Sequence, residues 1–563
     1  MQYRFDTIED PIPTYRSYVG GKDVDGSGWI YVPSPRALLD DAFSTLTIKR
    51  NLEAGTTPAS NAPPDVVLAR VAVADSQNVE DAIVSASGAA PIWAERPLSE
   101  RVDKFLTRLH ETFSTHADQI VDRLTAEGHP VELARWELSG ILESTAPRAR
   151  DFYRNQLRVS EFTDADERRL IVRRQPDGVV CVNPPANAAT ASAVLAMAAV
   201  AAGNAVIIRA PRSGPLGVMY VMRELIVPIL DELQAPPGVL NFFCGEPTPI
   251  LDMWLASPHV DDVMYFGSSK AGLEFERKCV AAQKKPILEL AGNDVVVVWK
   301  DADLDYAAEA LTESFYASGQ LCMIPNQVLV HPAVADDLIE KTVEKARRFR
   351  PGYPDDVDTL LSPVLRREKF FHYIDDALDK GAQLVFGGNA LQLDGTEDDT
   401  GMFLAPTLIR IDGLDRAREL NAVRNETFFP LLPVVVAVDG DDAMMLDKFV
   451  EFINSNPYGL RNSVWAQDPD VIDRFVVSIR NGGLLKINDS HFGHIEGLPT
   501  HGGTGITGGV CGEANFPVIS TTHLQGVAIS YRAQRPRESA LNGWNRRRNR
   551  HDSSADANTK ESN

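Results

Sequence analysis

An unbroken apolar run, Val295–Trp299, is the feature that most constrains how this chain can fold. It lies in the stretch ILELAGNDVVVVWKDADLDYAAEALTESFYASGQLCMIP, residues 287–325. A short run without polar alternation predicts a strand buried on both faces, as in parallel α/β sheets. Asp303 is a suitable N-cap for the helix that follows. Gly319 can end that helix, so the thiol of Cys322 is expected on a non-helical segment or at a helix start.

Strands and helices alternate in the chain before this stretch. The predicted strands are Gly178–Val182, Ala205–Ile208, Val239–Phe243 and Asp262–Phe266, and the predicted helices are 190–203, 215–233 and 248–256. Short buried strands that alternate with helices of this length are typical of a doubly wound parallel sheet. The sequence therefore predicts the α/β fold class.

Length and charge limit the class of protein further. With 563 residues the chain is too long for one core, so two or more domains are expected. A net charge of -22 argues against general affinity for nucleic acid or anionic membranes. The five cysteines form no C-x-x-C pair, which suits reduced thiols, and no signal peptide or membrane span is visible. We expect a cytoplasmic protein with neither a nucleic-acid nor a membrane partner.

Several motifs in a fixed order carry a family resemblance. Residues 287–325 read E-L-x-G-N, apolar strand, D-A-D-L-D, helix and G-Q-x-C, and W-A-x-x-P-L-x-x-R stands at Trp93–Arg101. Tyr18–Lys22 is similar to the entry strand and turn of the same family. Over residues 18–530 the chain resembles the NAD(P)-dependent aldehyde dehydrogenase superfamily.

The resemblance implies a domain organisation: two doubly wound α/β domains, one Rossmann-like and one catalytic, plus a β oligomerisation arm. Residues 1–156 and 178–289 correspond to the NAD(P)-binding domain with an N-terminal helical layer, and 290–488 to the catalytic domain. Residues 157–177 and 489–531 correspond to an oligomerisation hairpin and C-terminal strands, so a homodimer or homotetramer is expected. Residues 532–563 are poor in apolar side chains and are expected to be a disordered basic and polar tail.

The resemblance also implies a reaction on a small-molecule aldehyde. A thiolate adds to the aldehyde carbon, the thiohemiacetal expels hydride to a nicotinamide, and water hydrolyses the resulting thioester. Cys322 corresponds to the nucleophile and Glu289 to the general base. Asn187 corresponds to the residue whose amide donates to the oxyanion, together with the backbone N–H of Cys322.

Cofactor residues are implied in two places. Gly267, Ser268 and Gly272 follow a predicted strand and open a helix, which presents N–H groups and a positive helix end to a pyrophosphate. Glu426 corresponds to the residue that holds the nicotinamide ribose, with Phe428 packed near the ring. Phe429 replaces the usual Gly, so this loop can run differently.

Two departures from the family pattern bear on specificity. The motif K-P-S/A-E becomes R-A-P-R at Arg209–Arg212, and an Arg in place of the Glu can pair with a 2′-phosphate. Arg209 and Arg212 are therefore candidate cofactor residues, with NADP predicted in preference to NAD. Small residues flank Asn187, which favours a bulky or long aldehyde. The predicted tunnel residues are Ala186, Ala188, Leu321 and Met323.

Other interpretations stay open. The Gly-rich loop His491–Gly509 faintly resembles family members that act on CoA-linked semialdehydes, and its histidines lack a repeated metal-ligand spacing, so a substrate-lining loop and no metal is expected. A CoA-acylating aldehyde dehydrogenase or acyl-thioester reductase would use a thiol in place of water, but such enzymes often lack a base at Glu289. A catalytically retired binding or structural relative is the third reading, which the joint presence of Cys322, Glu289 and Asn187 disfavours.

Overall fold

The computed structural model describes residues 12–164, 167–438, 440–498, 501–510, 516–544 and 546–547. Two compact units form: a large one up to Gln156 and from Pro176 to Thr522, and a small one of Leu157–Gln175 with the residues from His523 onward.

The described part of the chain forms the following β-strands. They are β1 Thr14–Tyr15, β2 Ser17–Val19, β3 Lys22–Val24, β4 Gly28–Pro33, β5 Val67–Val73, β6 Ser160–Thr163, β7 Arg169–Pro176, β8 Val179–Asn183, β9 Ala205–Ala210, β10 Leu240–Cys244, β11 Asp262–Phe266, β12 Lys285–Glu289, β13 Asp294–Val298, β14 Pro325–Val330, β15 Gln383–Phe386, β16 Ala390–Leu391, β17 Phe403–Leu404, β18 Thr407–Asp412, β19 Leu431–Val436, β20 Tyr458–Gly459, β21 Arg461–Trp465, β22 Leu484–Ile487 and β23 Thr522–Ile529.

The α-helices surround these strands. They are α1 Pro35–Asp40, α2 Ala42–Glu53, α3 Ser76–Ala94, α4 Phe105–Thr115, α5 Ala117–Ala126, α6 Val131–Thr145, α7 Pro147–Gln156, α8 Ala189–Leu195, α9 Met197–Ala202, α10 Leu216–Tyr220, α11 Val227–Glu232, α12 Pro247–Ala256, α13 Ser269–Ala281, α14 Leu304–Thr312, α15 Ala335–Ala346, α16 Arg367–Asp379, α17 Leu414–Ala417, α18 Asn421–Arg424, α19 Asp442–Asn454, α20 Pro469–Ser478, α21 Gly505–Gly508, α22 Pro517–Ser520 and α23 Pro536–Ala540. Among the described residues, no helix is both long and apolar enough to cross a membrane.

The first sheet of the large unit places a crevice at the site. Its main strands run in the order β1-β5-β10-β9-β8-β11-β12, and each neighbouring pair is parallel. From β8 the chain moves outward through β9 and β10, and then returns to the other side of β8 with β11 and β12. The strand order therefore reverses between β8 and β11, and open α/β sheets bind ligands in the crevice at that switch point.

The second sheet contains the apolar run Val295–Trp299. Its order is β15-β18-β19-β14-β13-β21-β22, with β13 parallel to both neighbours and β15 an antiparallel edge. All four valines of β13 are 0% exposed, because helices cover both faces of the sheet. Burying each valine contributes about 1.5–3 kcal/mol. The predicted α/β fold class and the two-sided burial are confirmed.

Two predicted helices are interrupted. The helix predicted at 190–203 is α8 followed by α9, and it ends at Gly203, whose φ of 110° a side chain would resist. The helix predicted at 215–233 is α10 and α11 with a π-helical segment, Val221–Ile226, between them. The first interruption, at Ala196, lies in buried sequence, where periodicity carries little information about helix regularity. The second includes the half-buried Arg223 and Glu224.

The small unit is a three-stranded sheet in the order β23-β7-β6, with β6 antiparallel to β7. The segment 532–563, predicted to be disordered, includes the short exposed helix α23; residue 545 and residues 548–563 lie outside the described part. The boundary predicted at residue 489 differs from the structure, since residues up to Thr522 belong to the large unit. The reason is that the loop after Asp489 packs against Glu289 and Arg461.

Candidate active site

Cys322 lies on a tight turn between α14 and β14. The carboxylate of Asp303 accepts from the N–H groups of Asp305 and Tyr306 and so starts α14. After α14 the chain forms the short 3-10 segment Glu313–Gly319, in which three consecutive residues, Ala317, Ser318 and Gly319, have φ of 49°, 53° and 73°. A Cβ at Gly319 would lie 2.4 Å from the carbonyl oxygen of Phe429, so only glycine fits there. This turn leaves the cysteine on a non-helical segment, as the sequence predicts.

Glu289 is the hydrogen-bond partner of the Cys322 thiol. Its side chain, 4% exposed, stands at the end of β12, and its Oε1 accepts from Sγ of Cys322 at 3.3 Å. Its Oε2 accepts from the backbone N–H of Gly502 at 3.0 Å, which fixes the carboxylate. Burial and then the charge of Glu289 raise the pKa of the Cys322 thiol well above its usual range. The resting site therefore holds a protonated thiol beside a carboxylate that can accept its proton.

Asn187 lies on the same side of the cavity as Cys322. It precedes α8, and its Nδ2 donates to the carbonyl oxygen of Gln320 at 2.9 Å. An amide nitrogen has two N–H groups, so one of them remains for a substrate oxygen. The bond to Gln320 holds the amide near the turn that carries the cysteine.

One cavity of about 1090 Å³ collects most of the predicted residues. Those that line it are Cys322, Glu289, Asn187, Arg209, Arg212, Gly267, Ser268, Glu426, Phe428, Ala186, Ala188, Leu321 and Met323. Gly272 does not line it. A Cβ at that position would lie 2.1 Å from Leu290, so Gly272 allows α13 to pack closely on the chain after β12.

The cavity fits a dinucleotide at the switch point. Gly267 and Ser268 line it, and Ser268 caps α13 by accepting from the N–H of Ala271. A helix start of this kind presents N–H groups and a positive helix end, which suit a phosphate. The volume also exceeds what a drug-sized ligand needs, at about 300–1,000 Å³.

Phe428 and Phe429 determine the backbone path of the loop after α18. Phe428 has a left-handed φ of 50°, and the ring of Phe429 packs edge-on against Phe370 and Tyr373 in the core. Glu426 is thereby held in the cavity, where its Oε1 accepts from the N–H of Gly292 at 3.1 Å. Burial raises the pKa of Glu426 to about 7.

The two arginines of the R-A-P-R motif differ in environment. Arg209 is buried, and its guanidinium donates to Oδ1 of Asn183 at 2.7 Å and to the carbonyl oxygen of Gly245 at 3.1 Å. These bonds tie three neighbouring strand ends together. Arg212 is half-exposed and forms an ion pair with Glu246, at the start of α12. A 2′-phosphate at Arg212 would therefore compete with this carboxylate, which no local sequence pattern indicates.

The cavity is also lined by residues that were not among the predicted site residues. Lys49 and Glu53 of α2 form an ion pair at 3.2 Å and line the cavity together with Arg212. Trp136 of α6 and His501 of the Gly-rich loop also line it. Only for His501 was there a signal, because that loop was expected to line the substrate site. Within the described ranges, no three His, Cys, Asp or Glu side chains are grouped to hold a metal.

Comparison with known proteins places this site in a family. The model of the aldehyde dehydrogenase family matches residues 52–515. The chain is 27% identical to lactaldehyde dehydrogenase of Methanocaldococcus jannaschii over 77% of this chain and 89% of that protein. It is 26% identical to D-glyceraldehyde dehydrogenase (NADP(+)) of Picrophilus torridus, over 83% and 91%. The structure of glyceraldehyde-3-phosphate dehydrogenase from M. jannaschii, complexed with NADP, superposes with a TM-score of 0.69 at 24% identity, covering 82% of this chain and 96% of that one. The chain belongs to the aldehyde dehydrogenase family.

Proposed function

We propose that the protein oxidises an aldehyde to a free carboxylate with NAD(P)+, using Cys322 as nucleophile and Glu289 as general base. The observation that carries the proposal is the 3.3 Å hydrogen bond from Sγ of Cys322 to Oε1 of Glu289, inside a cavity of dinucleotide size. A nucleophile in hydrogen-bond reach of an oriented base is the arrangement that covalent catalysis needs.

The reaction follows from these contacts. Glu289 accepts the thiol proton as Sγ of Cys322 adds to the aldehyde carbon. Asn187 Nδ2 and the backbone N–H of Cys322 donate to the oxyanion. When bound, NAD(P)+ accepts the hydride that leaves the former aldehyde carbon. Glu289 releases the thiol proton and then takes a proton from water, whose oxygen bonds to the acyl carbon as the C–S bond breaks and the departing thiolate is reprotonated.

NADP is the proposed cofactor. Arg212 and Lys49 both line the cavity, so two cations are available to pair with a 2′-phosphate. Their ion-pair partners, Glu246 and Glu53, offset this charge in the absence of ligand. The relative from P. torridus is named for NADP(+), which supports the same choice.

A short, polar aldehyde is the proposed substrate. Beyond Cys322 the cavity wall is a packed cluster in which Trp136 stacks on Phe492 with ring centroids 3.8 Å apart. The indole N–H of Trp136 also donates to the carbonyl oxygen of Phe492, so the wall is fixed. The small side chains of Ala186 and Ala188 enlarge the cavity, which favours a bulky or long aldehyde instead. They do not belong to the wall that Trp136 and Phe492 form. The named substrates of the two relatives, lactaldehyde and D-glyceraldehyde, are short.

Nucleotide reduction at 340 nm tests the nucleophile, the acyl acceptor, the cofactor and the substrate class. The assay crosses NAD+ and NADP+ with lactaldehyde, D-glyceraldehyde, and long-chain and aromatic aldehydes, with and without CoA. We expect CoA-independent turnover that is fastest with NADP+ and the short hydroxyaldehydes. Cys322→Ala should abolish it, whereas Cys279→Ala, which removes a thiol that does not line the cavity, should retain it. Turnover only with CoA would contradict hydrolysis, and turnover in Cys322→Ala would contradict the nucleophile.

A further inference from the structure

The protons that Glu289 collects during the reaction must leave the buried active site. Oxidation of an aldehyde by NAD(P)+ and water yields a carboxylate, a reduced nucleotide and two protons per turnover. Glu289, the base that collects these protons in the proposed function, is 4% exposed. Its two oxygens already accept from Cys322 and from the N–H of Gly502. A buried base must pass each proton on before it can act again.

A second cavity lies behind His501. It measures about 50 Å³, and its wall includes His501, His494, Glu143, Ser144 and Tyr153. His501 also lines the catalytic cavity, so its side chain separates the two spaces. Most of the wall is apolar, but these five side chains supply the two to four polar partners that one water needs, and the volume exceeds the 10–15 Å³ or so that a water occupies.

His494 is built tightly into this wall. Its ring stacks on Trp136 with centroids 4.9 Å apart, and its Nε2 lies 2.6 Å from where a Cβ at Gly140 would be. Residue 140 must therefore be glycine for the imidazole to occupy that place. Glu143 also lines this cavity, and its buried Oε2 has no hydrogen-bond partner among the described residues.

Burial favours the neutral form of both imidazoles, and nearby charges modify this effect. Burial lowers the pKa of His501; the charge of Arg461 adds to this effect and the charge of Glu289 opposes it. Burial, Arg461, His501 and Lys486 together lower the pKa of His494 well below its usual range. A neutral imidazole has one N–H donor and one acceptor nitrogen, so it can take a proton at one nitrogen and release it from the other.

At the outer end, the carboxyl of Glu143 is suited to receive a proton. Burial raises its pKa, Glu496 raises it further, and Lys486 opposes both. Glu143 thus combines a raised proton affinity with an unused oxygen at the cavity wall.

We propose that His501, His494, Glu143 and the water that this second cavity can hold form a proton path from Glu289 to the solvent side of α6. The inference rests on the proposed function, because it concerns the base of the hydrolytic step. Along the path each group accepts one proton and releases one, so no group is changed over a turnover. His501 lines the catalytic cavity, whereas His494 and Glu143 act on the reaction through His501.

Ester hydrolysis without nucleotide isolates this step. p-Nitrophenyl acetate acylates a nucleophilic thiol and releases p-nitrophenol as a burst, and the slower steady rate then reports hydrolysis of the acyl-enzyme. We compare wild type, His501→Gln, Glu143→Gln and the double variant. His259→Gln is the matched control, because His259 is exposed and lines neither cavity.

We expect equal burst amplitudes in all five proteins, which also shows that each is folded and can be acylated. The steady rate should fall about 10²-fold in His501→Gln. The double variant should be no slower than His501→Gln, because the two residues serve one path. The control should match wild type.

Three results would contradict the inference. A wild-type steady rate in His501→Gln would show that protons leave by another route. A double variant slowed by the product of the single effects would indicate two independent structural roles. A burst that persists in Cys322→Ala would instead contradict Cys322 as the nucleophile of the proposed function, and this inference would fail with it.

Discussion

At the scale of single residues, the site depends on one thiol–carboxylate pair. Cys322 donates to Glu289 at 3.3 Å, and the charge of Glu289 helps to raise the pKa of the thiol. The same carboxylate therefore lowers the population of thiolate in the resting enzyme and accepts the proton during the reaction. These two effects can be separated by experiment.

Replacing Glu289 by Gln should move two rates in opposite directions. Turnover should fall by about 10²–10⁴-fold, because the base is lost. Alkylation of Cys322 by iodoacetamide at pH 8 should become faster, because removing the negative charge lowers the pKa of the thiol. Mass spectrometry of the labelled peptide measures the second rate. Glu80→Gln, on the exposed side of α3, should change neither, and slower alkylation in Glu289→Gln would contradict the account of the thiol.

Glu426 should make nucleotide binding depend on pH. Its pKa is raised to about 7 by burial, so the carboxyl takes up a proton as the pH falls through that value. An ionised carboxylate is the better acceptor for ribose hydroxyls, so the Kd for NADP+ should rise below pH 7 and stay level above it. Titration of protein fluorescence measures the Kd. Glu426→Gln should bind more weakly with a flat profile, and an unchanged slope in this variant would assign the titration to another group.

At the scale of elements, an ion pair joins the segment after β9 to the start of α12: Arg212 pairs with Glu246. Neutralising Glu246 should free Arg212 for a 2′-phosphate. Glu246→Gln should therefore lower the KM for NADP+ several-fold and leave that for NAD+ unchanged. Asp252→Asn, on the exposed side of α12, is the matched control. Equal changes for both nucleotides would show that Arg212 does not contact the 2′ position.

Two Gly→Ala substitutions should have opposite effects on stability. At Gly319, φ is +73° and a Cβ would meet the carbonyl oxygen of Phe429 at 2.4 Å, so Gly319→Ala should destabilise by about 1–3 kcal/mol and reduce turnover. Gly88 lies on the exposed side of α3 with open space around it, so Gly88→Ala should stabilise by about 0.5–1 kcal/mol. Urea denaturation measures both. A neutral Gly319→Ala would show that the turn can relax.

At the scale of the whole molecule, the small unit leaves apolar side chains of its three-stranded sheet uncovered. Phe162 on β6 is 53% exposed and Leu524 on β23 is 65% exposed. Exposed apolar patches of this kind mark interaction surfaces. They support the prediction, made from the family resemblance, that the protein is a homodimer or homotetramer.

Light scattering after size exclusion tests this prediction. We expect a dimer or tetramer for the wild type and smaller species for Phe162→Glu and Leu524→Glu, because a charge on the sheet face opposes its burial. Phe43→Glu changes a phenylalanine on α2 of the large unit that is even more exposed, at 81%, and should not alter the mass. A monomeric wild type would overturn the prediction.

The sequence alone determined the fold class and the order of the chemical groups. Apolar runs such as β13 predict buried strands, because a strand covered on both faces has no polar position to reveal. The motif order placed Cys322, Glu289 and Asn187 in one site, and the structure brings all three to one cavity. These signals are local in sequence, so they can be found without knowing what packs against them.

Tertiary structure alone decided which partners those groups meet. Arg209 is used in bonds between strand ends, Gly272 in helix packing, and Arg212 in a pair with Glu246, 34 positions later in the chain. His501 lines the same cavity as Glu289 because the loop after Asp489 folds back, and its Gly502 N–H donates to Glu289. Such contacts join residues distant in sequence, and no local pattern of residue types records them. The sequence therefore predicted what chemistry the chain carries, whereas packing determined the charge and proton environment in which that chemistry takes place.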